Sequence, residues 1–306
     1  MVETSQVTER EINVWTILGG YGQLGQSFHD VLSDAGITHE ILGRNDVDIT
    51  SMSSISSQLA AIHPTIIVNC AAWTAVDNAE DNAADAFLIN ETGARNVALV
   101  AKSLQSRLVH ISTDYVFPGT ETGARAEDAP TGPSSVYGAS KLAGENAVLT
   151  EHGSNSLVVR TAWLYSQYGG NFVKTMIRKA LTDSEVRVVN DQLGQPTHAA
   201  ELARHVVELV QNDAARGVFH GTNSGSATWF DLTVAIYELL GVDTRLVTAV
   251  DSSAYPTKAQ RPNNSVLGHQ KTLALGIQEM RPWHDALSDS ITSIASVIRK
   301  ELTNES

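Results

Sequence analysis

The chain has 306 residues, enough for one large α/β domain with an appended lobe or for two ordinary domains. Its 34 acidic and 21 basic side chains give a formal net charge of −13, which argues against nucleic acid as a partner because phosphate-backbone binding depends on clustered Lys and Arg. No apolar run approaches the roughly 18 residues of a membrane span and no signal region is recognisable, so we expect a cytoplasmic protein without a membrane partner.

Short β-branched runs alternate with longer stretches of helical spacing in the first half of the chain. The runs NVWTILGG, TIIVNCAA, RLVHIST and SLVVRTAW are typical of buried parallel strands. Helical spacing marks QLGQSFHDVLSDAG, AADAFLINETGARNVALVAKSL and VYGASKLAGENAVLTEHG between them. This order of strand and helix predicts an α/β fold with a doubly wound parallel sheet.

Three glycines, Gly19, Gly22 and Gly25, stand where the first predicted strand meets the first predicted helix, in ILGGYGQLGQSF. Such a turn lets the backbone approach a pyrophosphate and directs the phosphate oxygens to the positive N-terminus of the helix. The spacing differs from the commonest dinucleotide fingerprint, so a merely structural turn is the alternative. We predict a Rossmann-type cofactor site formed by these glycines with Gln23 and Leu24.

Arg44 follows the second predicted strand, about 20 residues after the last glycine, where an NAD-binding unit usually offers an acidic residue to the ribose 2′-hydroxyl. An arginine instead favours a 2′-phosphate, so we predict NADPH as the cofactor, with NADH as a second candidate. A solvated loop arginine is the alternative for Arg44. Asp48 either reaches the adenine side of the cofactor or caps the following helix.

The fourth predicted strand ends in Ser112, Thr113 and Asp114, at the sheet edge where open α/β folds bind ligands. In SSVYGASKLAGE, Tyr137 and Lys141 are four residues apart at the start of a helix and are therefore surface neighbours. Because free tyrosine has a pKa near 10, Tyr137 needs a cation such as Lys141 to act as an acid at neutral pH, and Lys141 is also predicted to bind the cofactor at its nicotinamide ribose. We predict that Tyr137 protonates a ketone oxygen as hydride reaches the carbon, while Thr113 donates a second hydrogen bond.

After Trp163 the pattern loosens, with predicted strands in EVRVVND and GVFHG. Predicted helices follow in HAAELARHVVELVQND, in TWFDLTVAIYELLG and from about Trp283. We predict a dinucleotide-binding Rossmann domain over residues 12–165, to which the chain returns around 186–221. Residues 166–185 and 222–300 are predicted to form a smaller C-terminal substrate-binding lobe.

The glycine turn, STD after the fourth strand and YGASK together resemble the extended short-chain dehydrogenase/reductases. Within that class the chain is similar to the family of dTDP-4-dehydrorhamnose reductases from about Asn13 to Trp283. The similarity is carried by GQLG, VNCAAWTAVDNAE, INETGARNVA, STDYVFPG, YGASKLAGE, VVRTAWLY, NFVKTM, NDQLGQPT and RPNNS. The resemblance implies NAD(P)H-dependent reduction of the 4-keto group of dTDP-6-deoxy-L-lyxo-4-hexulose to dTDP-L-rhamnose, a precursor of cell-surface polysaccharide, and a homodimer is a further expectation.

The resemblance also implies roles for individual residues. It assigns Thr113, Tyr137 and Lys141 to catalysis. It also implies that Asn90 kinks its helix and orders a water near the lysine. Ala71 and Ala72 are implied to line the cofactor, beside the glycines and Asp48. The dTDP-sugar is expected to contact Thr113, Asp114, Trp163, Asn171, Phe172 and Arg261, with the planar fork of Arg261 on the diphosphate. Trp163 as a core aromatic, and Asn171 with Phe172 as a plain helix start, are the alternatives.

The acidic residues Asp77, Glu80, Asp81 and Asp85 could suggest a metal site. We interpret them instead as a helix N-terminus whose carboxylates complement the helix dipole, and we predict no catalytic metal.

Three other functions stay open for this sequence. A reductase of another nucleotide 4-keto-6-deoxysugar would need the same residues. A nucleotide-sugar dehydratase or epimerase would use the same scaffold, but Tyr115 stands where dehydratases of this class typically carry Glu. A non-catalytic nucleotide-binding regulatory subunit would have no need of the intact set of Thr113, Tyr137 and Lys141.

Overall fold

The computed structural model describes residues 13–305, in which strands and helices alternate through the first two thirds of the chain. In chain order they are β1 (Trp15–Leu18), α1 (Gln23–Asp34), β2 (His39–Leu42), α2 (Met52–Ile62), β3 (Ile66–Asn69), α3 (Val76–Asp81), α4 (Ala83–Phe87), α5 (Ala94–Ser103), β4 (Arg107–Thr113), α6 (Val136–His152), β5 (Ser156–Thr161), β6 (Leu164–Tyr165), α7 (Phe172–Ala180), β7 (Val186–Val189), β8 (Leu193–Gly194), β9 (Thr197–His198), α8 (Ala199–Gln211), β10 (Gly217–His220), β11 (Ala227–Thr228), α9 (Trp229–Leu239), β12 (Val247–Val250), α10 (Gln270–Ala274) and α11 (Trp283–Glu305). A π-helical turn, Leu88–Gly93, joins α4 to α5.

The central sheet of the described residues has six strands in the order β10-β5-β4-β3-β1-β2, and every neighbouring pair is parallel. The strand order reverses direction between the neighbouring strands β1 and β3. Because both faces of the sheet are covered, all four residues of β1 and all six of β5 are buried. The predicted doubly wound α/β fold is confirmed.

Helices pack on both faces of this sheet. On one face α1 and α8 meet, and Phe28 and Leu202 are fully buried in that cluster. On the other face α2, α5 and α6 contribute a second cluster around Leu59, Val97 and Val148. The helices therefore hold the carboxyl ends of β1, β3 and β4 at one edge of the sheet, where the loops of the site emerge.

A third cluster forms away from the sheet. It contains apolar side chains of α7, α9 and α11, such as Ile177, Ile236 and Ile294, together with Val188 of β7. Strand β7 pairs in parallel with β12, and this pair is separate from the central sheet.

The predicted strands and helices of the first half are present in the structure. β4 coincides with RLVHIST, and α6 ends immediately before Gly153, the last residue of the predicted segment VYGASKLAGENAVLTEHG. The division of the chain into a domain and a lobe stays a prediction, and residue 12, where that domain was predicted to begin, lies outside the described residues. Within residues 13–305, no helix combines the length and the apolar character that a membrane crossing requires.

Candidate active site

The turn between β1 and α1 leaves no room for side chains at two of its glycines. Gly19 has φ +73°, and a Cβ atom there would lie 2.7 Å from the backbone N of Ala71. A Cβ atom on Gly25 would lie 2.5 Å from the carbonyl oxygen of Gly19. Gly22 is the N-cap residue of α1 and has no side chain to cap the helix, so the first N–H groups can bind an anion. The turn therefore fits the pyrophosphate of a dinucleotide.

A cavity of about 670 Å³ opens beside this turn. Its volume falls within the roughly 300–1,000 Å³ of typical small-molecule pockets. Six of the residues predicted to bind cofactor lie on its wall, namely Gly19, Gly22, Arg44, Asp48, Ala71 and Ala72. The structure thus brings together residues from the ends of β1, β2 and β3, as expected at this edge of a parallel sheet.

Sequence reasoning missed much of the cavity wall. The further lining residues are Tyr21, Gly43, Val47, Ile49, Thr50, Cys70, Trp73, Asp85, Leu88 and Ile89. Several of them are sequence neighbours of predicted residues, so they could have been predicted by extending the site to those neighbours. Leu88 and Ile89 come from the π-helical turn, which the helical spacing of the sequence did not reveal.

Five other residues predicted to bind cofactor are not on the wall of this cavity. The side chain of Gln23 donates a hydrogen bond from Nε2 to the carbonyl oxygen of Leu164 at 3.0 Å. Leu24 is buried in the core beneath the sheet, and Gly25 packs against the glycine turn. Asn90 lies between the loop at Trp73 and α6, and Lys141 is buried in α6. The cofactor role of these five residues stays a prediction.

Arg44 and Asp48 stand at the outer end of the cavity, and both side chains are exposed. Asp48 Oδ1 accepts hydrogen bonds from Thr50 N at 2.9 Å and from Thr50 Oγ1 at 2.8 Å. These hydrogen bonds lower the pKa of Asp48 below its ordinary value. Asp48 therefore shapes the loop before α2, while Ser51 is the residue whose side chain caps that helix.

Thr113 and Tyr137 meet at the carboxyl end of β4. Thr113 is the last residue of the strand, and Tyr137 lies in the first turn of α6, which Ser135 caps. Burial raises the pKa of the Tyr137 hydroxyl above its ordinary value, and a hydrogen bond with Thr113 acts in the opposite direction. Thr113 Oγ1 also donates to Asp114 Oδ1 at 2.9 Å, which fixes the orientation of the threonine hydroxyl.

Lys141 lies one helical turn after Tyr137, with only 3% of its surface exposed. Its Nζ donates a hydrogen bond to the carbonyl oxygen of Ile111 at 2.6 Å. Burial lowers the pKa of Lys141 to about 8, and the Glu145 carboxylate acts in the opposite direction. Since this pKa is still above neutrality, Lys141 carries a positive charge at pH 7.

Asn90 lies inside the π-helical turn and ties it to the neighbouring elements. Its Oδ1 accepts a hydrogen bond from Trp73 N at 2.8 Å, and its Nδ2 donates to Ser140 Oγ at 2.9 Å. Ser140 is the residue before Lys141 in α6. Asn90 therefore joins the loop at Trp73, which lines the cavity, to the helix that carries Tyr137 and Lys141.

Three aromatic side chains form a stack on the lobe side of the site. Trp163, with φ +45°, stacks on Trp229 with ring centroids 3.5 Å apart and an interplanar angle of 6°. Phe172 lies 4.5 Å from Trp229 at 52°. The structure thus brings the predicted Trp163 and Phe172 together through Trp229, which the sequence did not single out.

Asn171 and Arg261 are both held by other side chains. Asn171 Nδ2 donates to Gln23 Oε1 at 2.8 Å, and its Oδ1 caps α7 by accepting from Lys174 N at 2.9 Å. Arg261 Nη2 donates to Asp77 Oδ2 at 2.5 Å. Among the described residues, His, Cys, Asp and Glu side chains form no group of three or more that could hold a metal ion.

The parallel sheet, the glycine turn and the group formed by Thr113, Tyr137 and Lys141 together define a Rossmann-type protein of the extended short-chain dehydrogenase/reductase class. Comparison with known families places the chain within that class. It belongs to the family described as RmlD substrate binding domain, which it matches over residues 15–296. The resemblance noted in the sequence is confirmed.

Individual relatives are similar over most of their length. A dTDP-4-dehydrorhamnose reductase from Streptomyces griseus is 40% identical over 284 residues, which cover 92% of this chain and 93% of that protein. A dTDP-4-keto-6-deoxy-D-glucose reductase from Streptomyces niveus is 42% identical and covers 90% of this chain and 96% of its own. A crystal structure of dTDP-4-dehydrorhamnose reductase from Bacillus anthracis in complex with NADP superposes with a TM-score of 0.88 at 36% identity, and covers 92% of this chain and 99% of its own.

Proposed function

We propose that this protein is an NADPH-dependent reductase that converts the 4-keto group of dTDP-4-dehydro-L-rhamnose to the hydroxyl of dTDP-L-rhamnose. The observation that carries the proposal is the hydrogen bond between Thr113 and Tyr137 at the carboxyl end of β4, with Lys141 one helical turn later. At the same end of the sheet, the glycine turn lines a cavity that suits a dinucleotide. The names of the relatives from Streptomyces griseus and Bacillus anthracis support the same substrate.

Proton transfer to the ketone oxygen is the task of Tyr137. A phenol with a raised pKa gives up its proton less readily, so the positive charge of Lys141 is proposed to stabilise the phenolate that forms. The single hydroxyl proton of Thr113, which points to Asp114 in this structure, turns to the substrate oxygen as negative charge develops there. When bound, the cofactor supplies the hydride to the carbon.

Arg44 and the glycine turn support NADPH as the cofactor. The exposed guanidinium of Arg44 at the outer end of the cavity suits a ribose 2′-phosphate, and the relative from Bacillus anthracis is described in complex with NADP. We expect Arg44→Ala to raise the KM for NADPH more than the KM for NADH, because only NADPH carries the 2′-phosphate. Steady-state kinetics with both cofactors test this, and an equal rise in both values would contradict the preference.

A second candidate is reduction of a different dTDP-4-keto-6-deoxysugar. The relative from Streptomyces niveus, named a dTDP-4-keto-6-deoxy-D-glucose reductase, is as similar to this chain as the rhamnose-pathway relatives. The two substrates differ in the configuration of the sugar ring, so the aromatic stack of Trp163, Trp229 and Phe172 is where they would be distinguished.

We propose further that the cofactor is held by residues up to 165 and that the dTDP-sugar is held by residues 166–185 and 222–300 together with the sheet edge. Asp114, Trp163, Asn171, Phe172 and Arg261 are proposed as substrate contacts. The homodimer and the cytoplasmic location stay predictions.

The decisive experiment follows the loss of reduced nicotinamide absorbance with dTDP-4-dehydro-L-rhamnose and with dTDP-4-keto-6-deoxy-D-glucose, each with NADPH and NADH. We expect rapid oxidation of NADPH with the first sugar. Oxidation with the second sugar alone would select the second candidate. No oxidation with either would overturn the reductase assignment and favour a regulatory subunit.

A further inference from the structure

Asp77 makes a charged contact between α3 and the segment that carries Arg261. Its Oδ2 accepts from Arg261 Nη2 at 2.5 Å, and its Oδ1 accepts from Ala259 N at 3.1 Å. The sequence predicted Asp77 as a carboxylate that complements a helix dipole, and it does lie in the first turn of α3. Its carboxylate nevertheless forms an ion pair with the one arginine expected on the diphosphate.

The other edge of the Arg261 guanidinium faces the reaction centre. Its Nη1 donates to the hydroxyl of Tyr115 at 3.2 Å. The ring of Tyr115 lies edge-on to the ring of Tyr137, with centroids 5.5 Å apart. Arg261 is therefore one aromatic side chain away from the proton donor, and 22% of its side chain is exposed. A diphosphate attached to the reacting sugar can reach it there.

The backbone around Arg261 is anchored independently of Asp77. Gly119 O accepts hydrogen bonds from Asn263 N at 3.0 Å and from Asn264 N at 3.1 Å. Asn263 O in turn accepts from Leu193 N at 2.8 Å. The segment therefore has backbone anchors that do not involve Asp77, and a variant that removes the charge but keeps the acceptor for Ala259 N leaves all of these hydrogen bonds available.

We propose that Asp77 competes with the diphosphate of the nucleotide sugar for the guanidinium of Arg261 and thereby sets how tightly the nucleotide is held. The inference rests on the proposed function. Paired with a carboxylate, the guanidinium has little net charge to attract a second anion, and the carboxylate repels a diphosphate directly. The diphosphate displaces it because it has more charge and offers the fork of Arg261 two oxygens. Since substrate and product share this group, the competition weakens both and speeds product release.

The test variant is Asp77→Asn, which removes the charge and keeps an Oδ1 acceptor for Ala259 N. Binding of dTDP to the full chain is measured by isothermal titration calorimetry at two salt concentrations. We expect the Kd for dTDP to fall by about threefold to tenfold, with the larger effect at low salt. We expect the Kd for NADPH to stay the same. A general structural change would alter that Kd as well.

The matched control is Asp81→Asn, because Asp81 lies in the same helix and pairs with Lys258 instead. We expect its Kd for dTDP to stay within about twofold of wild type. In an Arg261→Gln background, Asp77→Asn should have a smaller effect, because only the direct repulsion between the carboxylate and the diphosphate is then removed. Unchanged or weaker dTDP binding in Asp77→Asn, equal tightening in Asp81→Asn, or no dTDP binding to wild type would each overturn the inference. A wild-type chain that binds dTDP but reduces no keto sugar would overturn the proposed function alone, and the Asp77 comparison would still decide this inference.

Discussion

The hydroxyl of Tyr137 is the single group on which proton transfer depends. Tyr137→Phe keeps the ring and its edge-on contact with Tyr115 but removes the proton. We expect kcat to fall by about 10²-fold to 10⁴-fold with little change in the Kd for NADPH. Tyr255→Phe is the control, because it removes a phenol hydroxyl that donates to the carbonyl oxygen of Arg187 and not to the reaction centre. A kcat near wild type for Tyr137→Phe would remove this residue from the mechanism.

The charge of Lys141 makes the reaction depend on pH. Burial lowers its pKa to about 8, so the side chain loses its proton as the pH rises through that value. Since Lys141 is the cation proposed to stabilise the phenolate, we expect kcat/KM to fall on the alkaline side with a midpoint of about 8. Lys141→Arg keeps the charge over this range, so its residual activity should lack that decline. A wild-type profile that is flat to pH 9.5 would contradict the role of the lysine.

The residues of the site differ in how far the sequence could reveal them. Tyr137 and Lys141 could be predicted because residues four positions apart on one helix are neighbours. Thr113 could be predicted because the carboxyl ends of parallel strands share the edge of the sheet where ligands bind. The pairing of Asp77 with Arg261 was not accessible, since the two residues are 184 positions apart and meet only when the lobe has folded. Neither residue type nor local spacing signals such a contact.

At the scale of elements, the buried strands were predictable because parallel strands covered on both faces are apolar throughout. The segment EVRVVND was correctly predicted as a strand. Its partner β12 was not predicted, because the sequence of one strand does not indicate which other segment pairs with it. The helical run from residue 83 to 104 was predicted as one helix. The structure divides it into α4, the π-helical turn and α5, since helical spacing does not distinguish a turn with one additional residue.

The contact between α6 and the π-helical turn depends on Gly144. A Cβ atom there would overlap the carbonyl oxygen of Asn90, a backbone atom that cannot rotate away. We expect Gly144→Ala to lower the free energy of unfolding by about 1–3 kcal/mol and to reduce activity through the displaced α6. Urea unfolding and kcat measure the two effects. Gly170→Ala is the control, because a Cβ atom at Gly170 meets open space, and a loss of similar size there would refute the packing explanation.

At the scale of the whole molecule, two polar contacts near the site join α1 to the segment that precedes α7. Tyr168 donates to Asp30 at 2.6 Å, and Nδ2 of Asn171 donates to Gln23 at 2.8 Å. Because α1 begins at the glycine turn, we expect this junction to help position the proposed cofactor site relative to the proposed sugar site.

Asn171 combines a helix cap with a contact across this junction, and the two contributions can be separated. Asn171→Ala loses the cap of α7 and the hydrogen bonds that Nδ2 donates to Gln23 Oε1 and to Ser166 O. The cap contributes about 1 kcal/mol, and the two Nδ2 hydrogen bonds together contribute about 1 kcal/mol. Ser51→Ala is the matched variant, because the hydrogen bonds of Ser51, with Ser54 N and Ser53 Oγ, both lie at the start of α2. We expect Asn171→Ala to lower the free energy of unfolding in urea by about 2 kcal/mol and Ser51→Ala by about 1 kcal/mol. Equal losses would mean that the Nδ2 hydrogen bonds contribute nothing to stability, because the cap alone would then account for the effect of Asn171.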